Sequence, residues 1–338
     1  MNGWNNSSVI QSIGKPKRSK SKKISSSWHA LKRGLASLFV CLFVFIPIIL
    51  TINQWTSVFG LHFSVTSLLH NNSDSRKPTP LPAMQTRALD ANSPVIKPFE
   101  QPLVTVTFDD GWESVYTQAA PLLQKYGIPT TQYILSGEEA NKGYMTFEQV
   151  KALQQAGHDI GCHTVSHPDL TTLNATDLAN QLTGCKSTLE SKLGLQINDF
   201  ASPYGSANPT TISAIQNVFR SQRNTNGDIT TNQADDQDIN IAANFNRYNI
   251  IAVTVRKDTT EAEINSAIDY TVKHNGWLVL TYHDIDNTNS TYALDSKSLD
   301  TQLAAISKAP VRIVTMGQAL DALQATGYKT PTDNIGKN

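Results

Sequence analysis

Asp109 and Asp110 stand side by side after a short β-branched run, residues 104–107, and just before Gly111. Two neighbouring anions at the end of a buried strand repel each other and lose water, so the fold must compensate them. A cation is the usual partner, and glycine lets the backbone turn tightly beside it. Taken alone, the stretch reads equally well as an Asp-Gly turn capping the next helix. A second pair of residues shifts that balance. His163 and His167 also follow a short strand. On a helical turn their i, i+4 spacing sets the imidazoles on one side, about 5–6 Å apart at Cβ, close enough to hold one ion. Two histidines and one carboxylate, with open positions for water, make a catalytic divalent-metal site.

Such residues need a frame that brings strand ends together. From Pro102 onward short apolar runs alternate with amphipathic stretches. Strands are expected at 104–107, 130–135, 158–161, 200–202, 250–255, 277–282 and 311–315. Helices are expected over 115–126, stopped by Gly127 and Pro129, and over 177–193, stopped by Gly194. Another starts at Thr146, which makes a capping box with Gln149, and runs to Ala156 before Gly157. Repeated strand-then-helix order specifies a parallel sheet, open or closed into a barrel. Both architectures carry their sites at the C-terminal ends of strands. The carboxylates and the histidines both fall at such ends.

The first hundred residues are organised differently. The 338-residue chain has no net charge, yet residues 1–33 hold eight basic residues and no acid, leaving 20 basic against 28 acidic residues in the remainder. Residues 34–52 are uncharged and long enough to span a hydrocarbon core, and Pro47 is tolerable in a membrane helix. The run exceeds the ~7–15 apolar residues of a signal peptide and no clear A-x-A site follows it, so a retained anchor is expected. The positive-inside rule then puts the N-terminus in the cytoplasm and the main domain outside, at the cell membrane. Basic residues beside a span argue for a lipid bilayer as partner and against nucleic acid. The expected organisation is a basic cytoplasmic tail (1–33), a transmembrane helix (34–52), a Ser-, Asn- and Pro-rich linker (53–99), a catalytic domain (100–325) and a flexible C-terminal tail (326–338).

With the motifs in order, a resemblance emerges. Thr107-Phe108-Asp109-Asp110-Gly111 and His163-Thr164-Val165-Ser166-His167 resemble the first two motifs of the polysaccharide deacetylase family, the NodB-homology domain of carbohydrate esterase family 4. Phe200-Ala201-Ser202-Pro203-Tyr204-Gly205 resembles its third, and Leu280-Thr281-Tyr282-His283-Asp284 its last. The resemblance implies an α/β fold, a distorted (β/α) barrel, and metal-dependent removal of acetyl groups from N-acetylated polysaccharide: peptidoglycan, poly-N-acetylglucosamine or chitin-like oligomers. By resemblance Asp110, His163 and His167 bind one divalent metal, zinc by preference, with cobalt or nickel also suited. Asp109 is the general base, the backbone N–H of Tyr204 stabilises the oxyanion, and His283 protonates the leaving amine. These roles agree with the chemistry: a metal lowers the pKa of bound water, a neighbouring carboxylate takes its proton, and a fixed N–H meets the developing charge. An O-acetyl xylan esterase of the same family and a carbohydrate-binding pseudoenzyme are the alternatives.

Two departures from the family pattern concern residues around the site. Ala201 stands where many members carry an arginine that pairs with the base; Arg223 is the candidate substitute, against a solvated helix-end arginine. The acid that tunes the last histidine is not recognisable, with Asp235, Asp236, Asp238 and Asp258 as possibilities. Trp112, Trp277 and Tyr282 are either sugar platforms or core. Cys162 is expected as a buried free thiol turned away from His163, a disulfide to Cys185 being the alternative in an oxidising compartment.

Overall fold

The computed structural model describes residues 81, 95–139, 141–229, 234–288 and 290–328. The expected basic tail, membrane span and nearly all of the linker lie outside the described residues. Among the described residues no helix is long and apolar enough to cross a membrane.

Among the described residues eight strands are all parallel: β1 (Leu103–Phe108), β2 (Thr130–Ile134), β3 (Asp159–Cys162), β4 (Asp199–Ala201), β5 (Ser221–Arg223), β6 (Val253–Thr254), β7 (Trp277–Tyr282) and β8 (Arg312–Ile313). Their order is β5-β4-β3-β2-β1-β7-β6, with β8 also on β1. Since β7 pairs with β1 along its whole length, β8 and β2 share the other edge: β8 takes Leu103 and Val104, β2 takes Val106 to Phe108. Single bridges Arg223–Ile250 and Gly227–Val253 link the β5 side toward β6. The result is a parallel-strand α/β half-barrel.

The central strands are buried on both faces, which is why they read as continuous runs and not as alternation. Their threonines are paired inside: Thr107 Oγ1 meets Thr281 Oγ1 at 3.0 Å, and Thr105 Oγ1 accepts the Trp277 indole N–H at 2.9 Å. Helices α1 (Ala120–Tyr126), α2 (Phe147–Gln155), α3 (Ala175–Leu193), α4 (Pro209–Gln216), α5 (Glu261–His274), α6 (Ser296–Lys308) and α7 (Met316–Ala325) follow strands or precede them. A π-helical turn, Val115–Ala119, leads into α1. The Thr146–Gln149 capping box forms with both of its bonds, and Gly127 and Gly194 end their helices in the left-handed conformation. One apolar cluster joins β1 and β7 to α5 and α6, and a second joins β3 and β4 to α2 and α3.

The strand at 250–255 shrinks to two residues and that at 311–315 likewise, while β5 is additional to the expected set. Tyr328, within the stretch expected as a tail, packs on Phe99 and Phe245.

Cys162 and Cys185 correct the free-thiol expectation. Their sulfurs are joined, with Cα atoms 6.2 Å apart, within the span of a disulfide. Cys162 does turn away from His163, into the cluster beneath α3.

Candidate active site

The loops after β1, β3 and β4 converge at one end of the sheet, and their backbones are unusual. Asp110, Thr164, His167 and Tyr204 all have positive φ, between 59° and 77°. Non-glycine residues take that conformation at a cost of about 1–3 kcal/mol each, and it persists where surrounding contacts over-determine it. Gly205 continues the turn, and a Cβ there would come within 2.8 Å of the Thr225 backbone nitrogen.

The histidine pair converges by a route that corrects the sequence expectation. Residues 163–167 form no helical turn; His163 follows β3 directly and the chain then loops through two left-handed residues, Thr164 and His167. Gln181 of α3 pins this loop. Its Oε1 accepts the N–H groups of Val165 and Ser166 at 2.9 and 3.2 Å, and Thr164 Oγ1 accepts the N–H of His167 at 2.9 Å. No motif marks Gln181, because one glutamine on an amphipathic helix looks like any solvated residue.

Asp110, His163 and His167 are brought together, their ligand atoms all within 4.8 Å of one another. Asp110 Oδ1 lies 3.6 Å from Nε2 of His163 and 3.5 Å from Nε2 of His167. Two donors about 2.0–2.1 Å from a tetrahedral ion stand about 3.3–3.4 Å apart, so the spacing suits a divalent cation. That same Oδ1 is buried without a hydrogen-bond partner. His163 Nδ1 is 2.8 Å from the carbonyl oxygen of Ala201, to which it can only donate, so its Nε2 carries the lone pair. Burial lowers the His163 pKa and favours this neutral form. The residues present therefore fit a metal.

Asp109 occupies a different environment. It is 2% exposed, and both of its oxygens accept from Arg223 Nη2, at 2.6 and 2.5 Å. Burial alone would raise its pKa; the Arg223 guanidinium, joined by His163 and His283 only when these are protonated, outweighs that and holds the carboxyl below its ordinary range. Arg223 is fully buried, its guanidinium 5.1 Å from the Tyr133 ring centroid. It takes the place of the arginine missing at Ala201, and it comes from β5, not from a helix end.

His283 directly follows β7. Its Nδ1 is buried without a partner. None of the four aspartates considered from sequence reaches it. Asp238 accepts the N–H groups of Asp228 and Asp235, Asp235 that of Gln237, and Asp236 the Tyr270 hydroxyl, while Asp258 is exposed. Asp284 turns to the Ser114 hydroxyl.

Of the two readings left open for Trp277 and Tyr282, the core one holds: they are 0% and 1% exposed, and the Tyr282 hydroxyl donates to Gln302 Oε1 at 2.9 Å. Trp112 is half-buried and donates its indole N–H to Asp110 Oδ2 at 3.0 Å. The open aromatic rings lie elsewhere. Tyr204, 67% exposed, meets His167 edge-on at 4.5 Å, and Tyr292, 49% exposed, lies 5.2 Å from His283. Tyr292 went unremarked in the sequence because it sits in an irregular loop with no motif around it.

Residues 96–218 match the family model for polysaccharide deacetylase. Over this region, little more than a third of the chain, the sequence is similar to polysaccharide deacetylases. Similar proteins include a bifunctional xylanase/deacetylase of Pseudobutyrivibrio xylanivorans, 32% identical over 119 residues, which are 35% of this chain and 19% of that one. A chitin deacetylase of Pestalotiopsis sp is 32% identical over 137 residues, 40% and 46% of the two chains. A peptidoglycan-N-acetylglucosamine deacetylase of Bacillus cereus is 33% identical over 110 residues, 32% and 38%. The chain thus spans less than half the length of each of these curated relatives.

Proposed function

We propose that this protein is a divalent-metal-dependent deacetylase that removes N-acetyl groups from polymers of N-acetylated hexosamine. The observation that carries the reading is the contrast within one dipeptide: Asp110 offers an unpartnered oxygen to two imidazoles, while Asp109 is held ionised beside it by Arg223. The chitin and peptidoglycan-N-acetylglucosamine deacetylases among its relatives support the substrate class.

A divalent cation held by Asp110, His163 and His167 would supply Lewis-acid polarisation of the acetyl carbonyl and water acidic enough to ionise near neutral pH. Asp109 accepts the proton of the attacking water, since its carboxylate is charged and adjacent. The backbone N–H of Tyr204, fixed by its left-handed turn, donates to the developing oxyanion. His283, on the opposite side, delivers a proton to the leaving amine. The open rings of Tyr204 and Tyr292 receive sugar faces on the two sides of the aspartates. The frame is the distorted (β/α) barrel of the NodB type. Zinc suits the nitrogen-rich ligand set best, with cobalt and nickel as substitutes.

The placement we propose is extracytoplasmic: residues 34–52 anchor the chain in the cell membrane, residues 1–33 stay in the cytoplasm, and residues 53–99 tether a catalytic domain over 100–325. Protease added outside cells stripped of their outer barriers should digest that domain; digestion only after lysis would reverse the topology.

The relative that joins a xylanase to a deacetylase makes an O-acetyl substrate the second reading. Acetate release from chitin oligomers, peptidoglycan, poly-N-acetylglucosamine and acetylated xylan, each with and without a chelator, separates the two. Release from the N-acetylated glycans that the chelator abolishes is expected. Release from xylan alone would favour the esterase, and no release from any substrate would leave a carbohydrate-binding protein.

A further inference from the structure

The carboxylate of Asp110 faces two ways. Oδ1 is buried, has no hydrogen-bond partner and lies opposite the two imidazoles. Oδ2 accepts the indole N–H of Trp112. That indole is itself held. It stacks on Tyr144 with ring centroids 4.5 Å apart and planes 20° from parallel, and the backbones of residues 112 and 144 form an antiparallel bridge. The neighbouring Glu113 N–H donates to the Gly143 carbonyl at 2.8 Å. An indole nitrogen can only donate, and one clamped at its ring face and its backbone has little freedom to turn away.

We propose that Trp112 is a positioning residue which fixes the Asp110 carboxylate so that it meets a divalent cation through Oδ1 alone. The terminal torsion of an aspartate is broad, so a carboxylate without that donor can rotate and present both oxygens. One oxygen and two imidazoles give three protein ligands and leave open positions, the arrangement suited to zinc or cobalt in catalysis. A carboxylate binding through both oxygens fills one of those positions and moves the site toward the oxygen-rich coordination of harder, larger cations. Trp112 thereby sets how many places remain for water and substrate. The residue follows Gly111 directly, so the same tight turn that aims Asp110 also brings the indole back over it.

This inference rests on the metal-centre reading, and its test reads binding, not turnover. The purified full chain, stripped with a chelator, is titrated with Co²⁺ and Zn²⁺ by calorimetry, and the visible absorption of the cobalt form is recorded. Trp112→Phe and Trp112→Tyr keep a ring to stack on Tyr144 and remove the N–H. Both metal-free variants should melt close to the wild type, bind either ion about 10–100-fold more weakly, as losing a partner of a metal ligand does, and give a weaker, shifted cobalt spectrum as the ion gains a ligand. A variant with the wild-type affinity and spectrum overturns the role given to Trp112 and leaves the metal centre standing. Unfolding of both metal-free variants also overturns it, making Trp112 a packing residue. A wild type that binds neither ion overturns the metal centre itself.

Discussion

The two flanks of the Asp109–Asp110 step are built to different standards. Toward β3 to β5 the groups that face the aspartates are tied down: Arg223 bonds both oxygens of Asp109, Ala201 orients His163, and Gln181 pins the loop to His167. Toward β7, His283 keeps a buried nitrogen without a partner, Asp284 looks away to Ser114, and the nearest ring, Tyr292, is half open to solvent. The first flank has the rigidity that suits the proposed ion site and a base that is ionised until it takes a proton. The second leaves an imidazole with one nitrogen still unpartnered, which suits the proton donor to a substrate nitrogen proposed above.

That comparison breaks most readily at the aspartates. Asp110→Ala removes one of three protein ligands, so metal content per protein should fall to near zero in elemental analysis, and acetate release should fall with it. Retained metal would mean that the tied-down flank does not include Asp110.

Asp109→Asn and His283→Gln test the two flanks against each other. Each should keep its metal and lose turnover by about 10²–10⁴-fold, the range for a missing general base or acid. They should differ in stability. Asp109→Asn leaves the Arg223 guanidinium buried without its counter-charge, at a cost of up to about 3–5 kcal/mol, whereas His283→Gln strands no charge. Equal denaturation midpoints for the two variants would contradict the asymmetry described above.

A control lies at the far end of β2 and β3. His158 Nδ1 accepts the N–H of Thr130 at 3.2 Å, and burial lowers its pKa to about 4. Below the ordinary value of 6.5 the unfolded chain takes up a proton that the folded chain refuses. Stability should therefore fall as pH drops from about 6.5 to about 4, by about 3 kcal/mol in all. His158→Asn retains an acceptor at the Nδ1 position and should flatten that slope in denaturation curves taken across the window. An unchanged slope would locate the acid sensitivity elsewhere, the active-site flanks included.

The smallest effect expected is at the open ring. Tyr292→Ala should raise KM for a long N-acetylglucosamine oligomer about 2–10-fold, the worth of one ring contact, with kcat nearly unchanged. If KM stays constant while kcat drops, the ring acts on His283 and not on sugar.

Much of this frame could be read from the chain. The runs at 104–107 and 277–282 are apolar and β-branched because both of their faces are covered, and Gly127, Gly194 and Thr146 mark helix ends by mechanisms local to a few residues. What escaped depends on partners far away in sequence. Ser221-Gln222-Arg223 is too polar to suggest a strand, yet it is buried because Asp199, Ser202 and Asp109 each receive one of its side chains. The i, i+4 histidines suggested a helix, since spacing carries no sign of the left-handed residues between them. Trp277 and Tyr282 could be read as platforms or as core, because residue type does not say which side of a sheet is covered.

Strand β1 carries the dipeptide on which the site depends, and its pairing partners have a consequence for the timing of assembly. Its full-length neighbour is β7 and the start of its other edge belongs to β8, both more than 150 residues downstream. Contacts of such long range are slow to form, because the entropy of closing the intervening chain is lost before they reward it. During synthesis β1 therefore emerges with most of its hydrogen-bonding edge bare, and it stays so until residues 277–313 arrive. A chain stalled short of β7 would hold both aspartates, His163 and His167 yet have no ordered place for them, so the dipeptide is aligned only in a nearly finished protein.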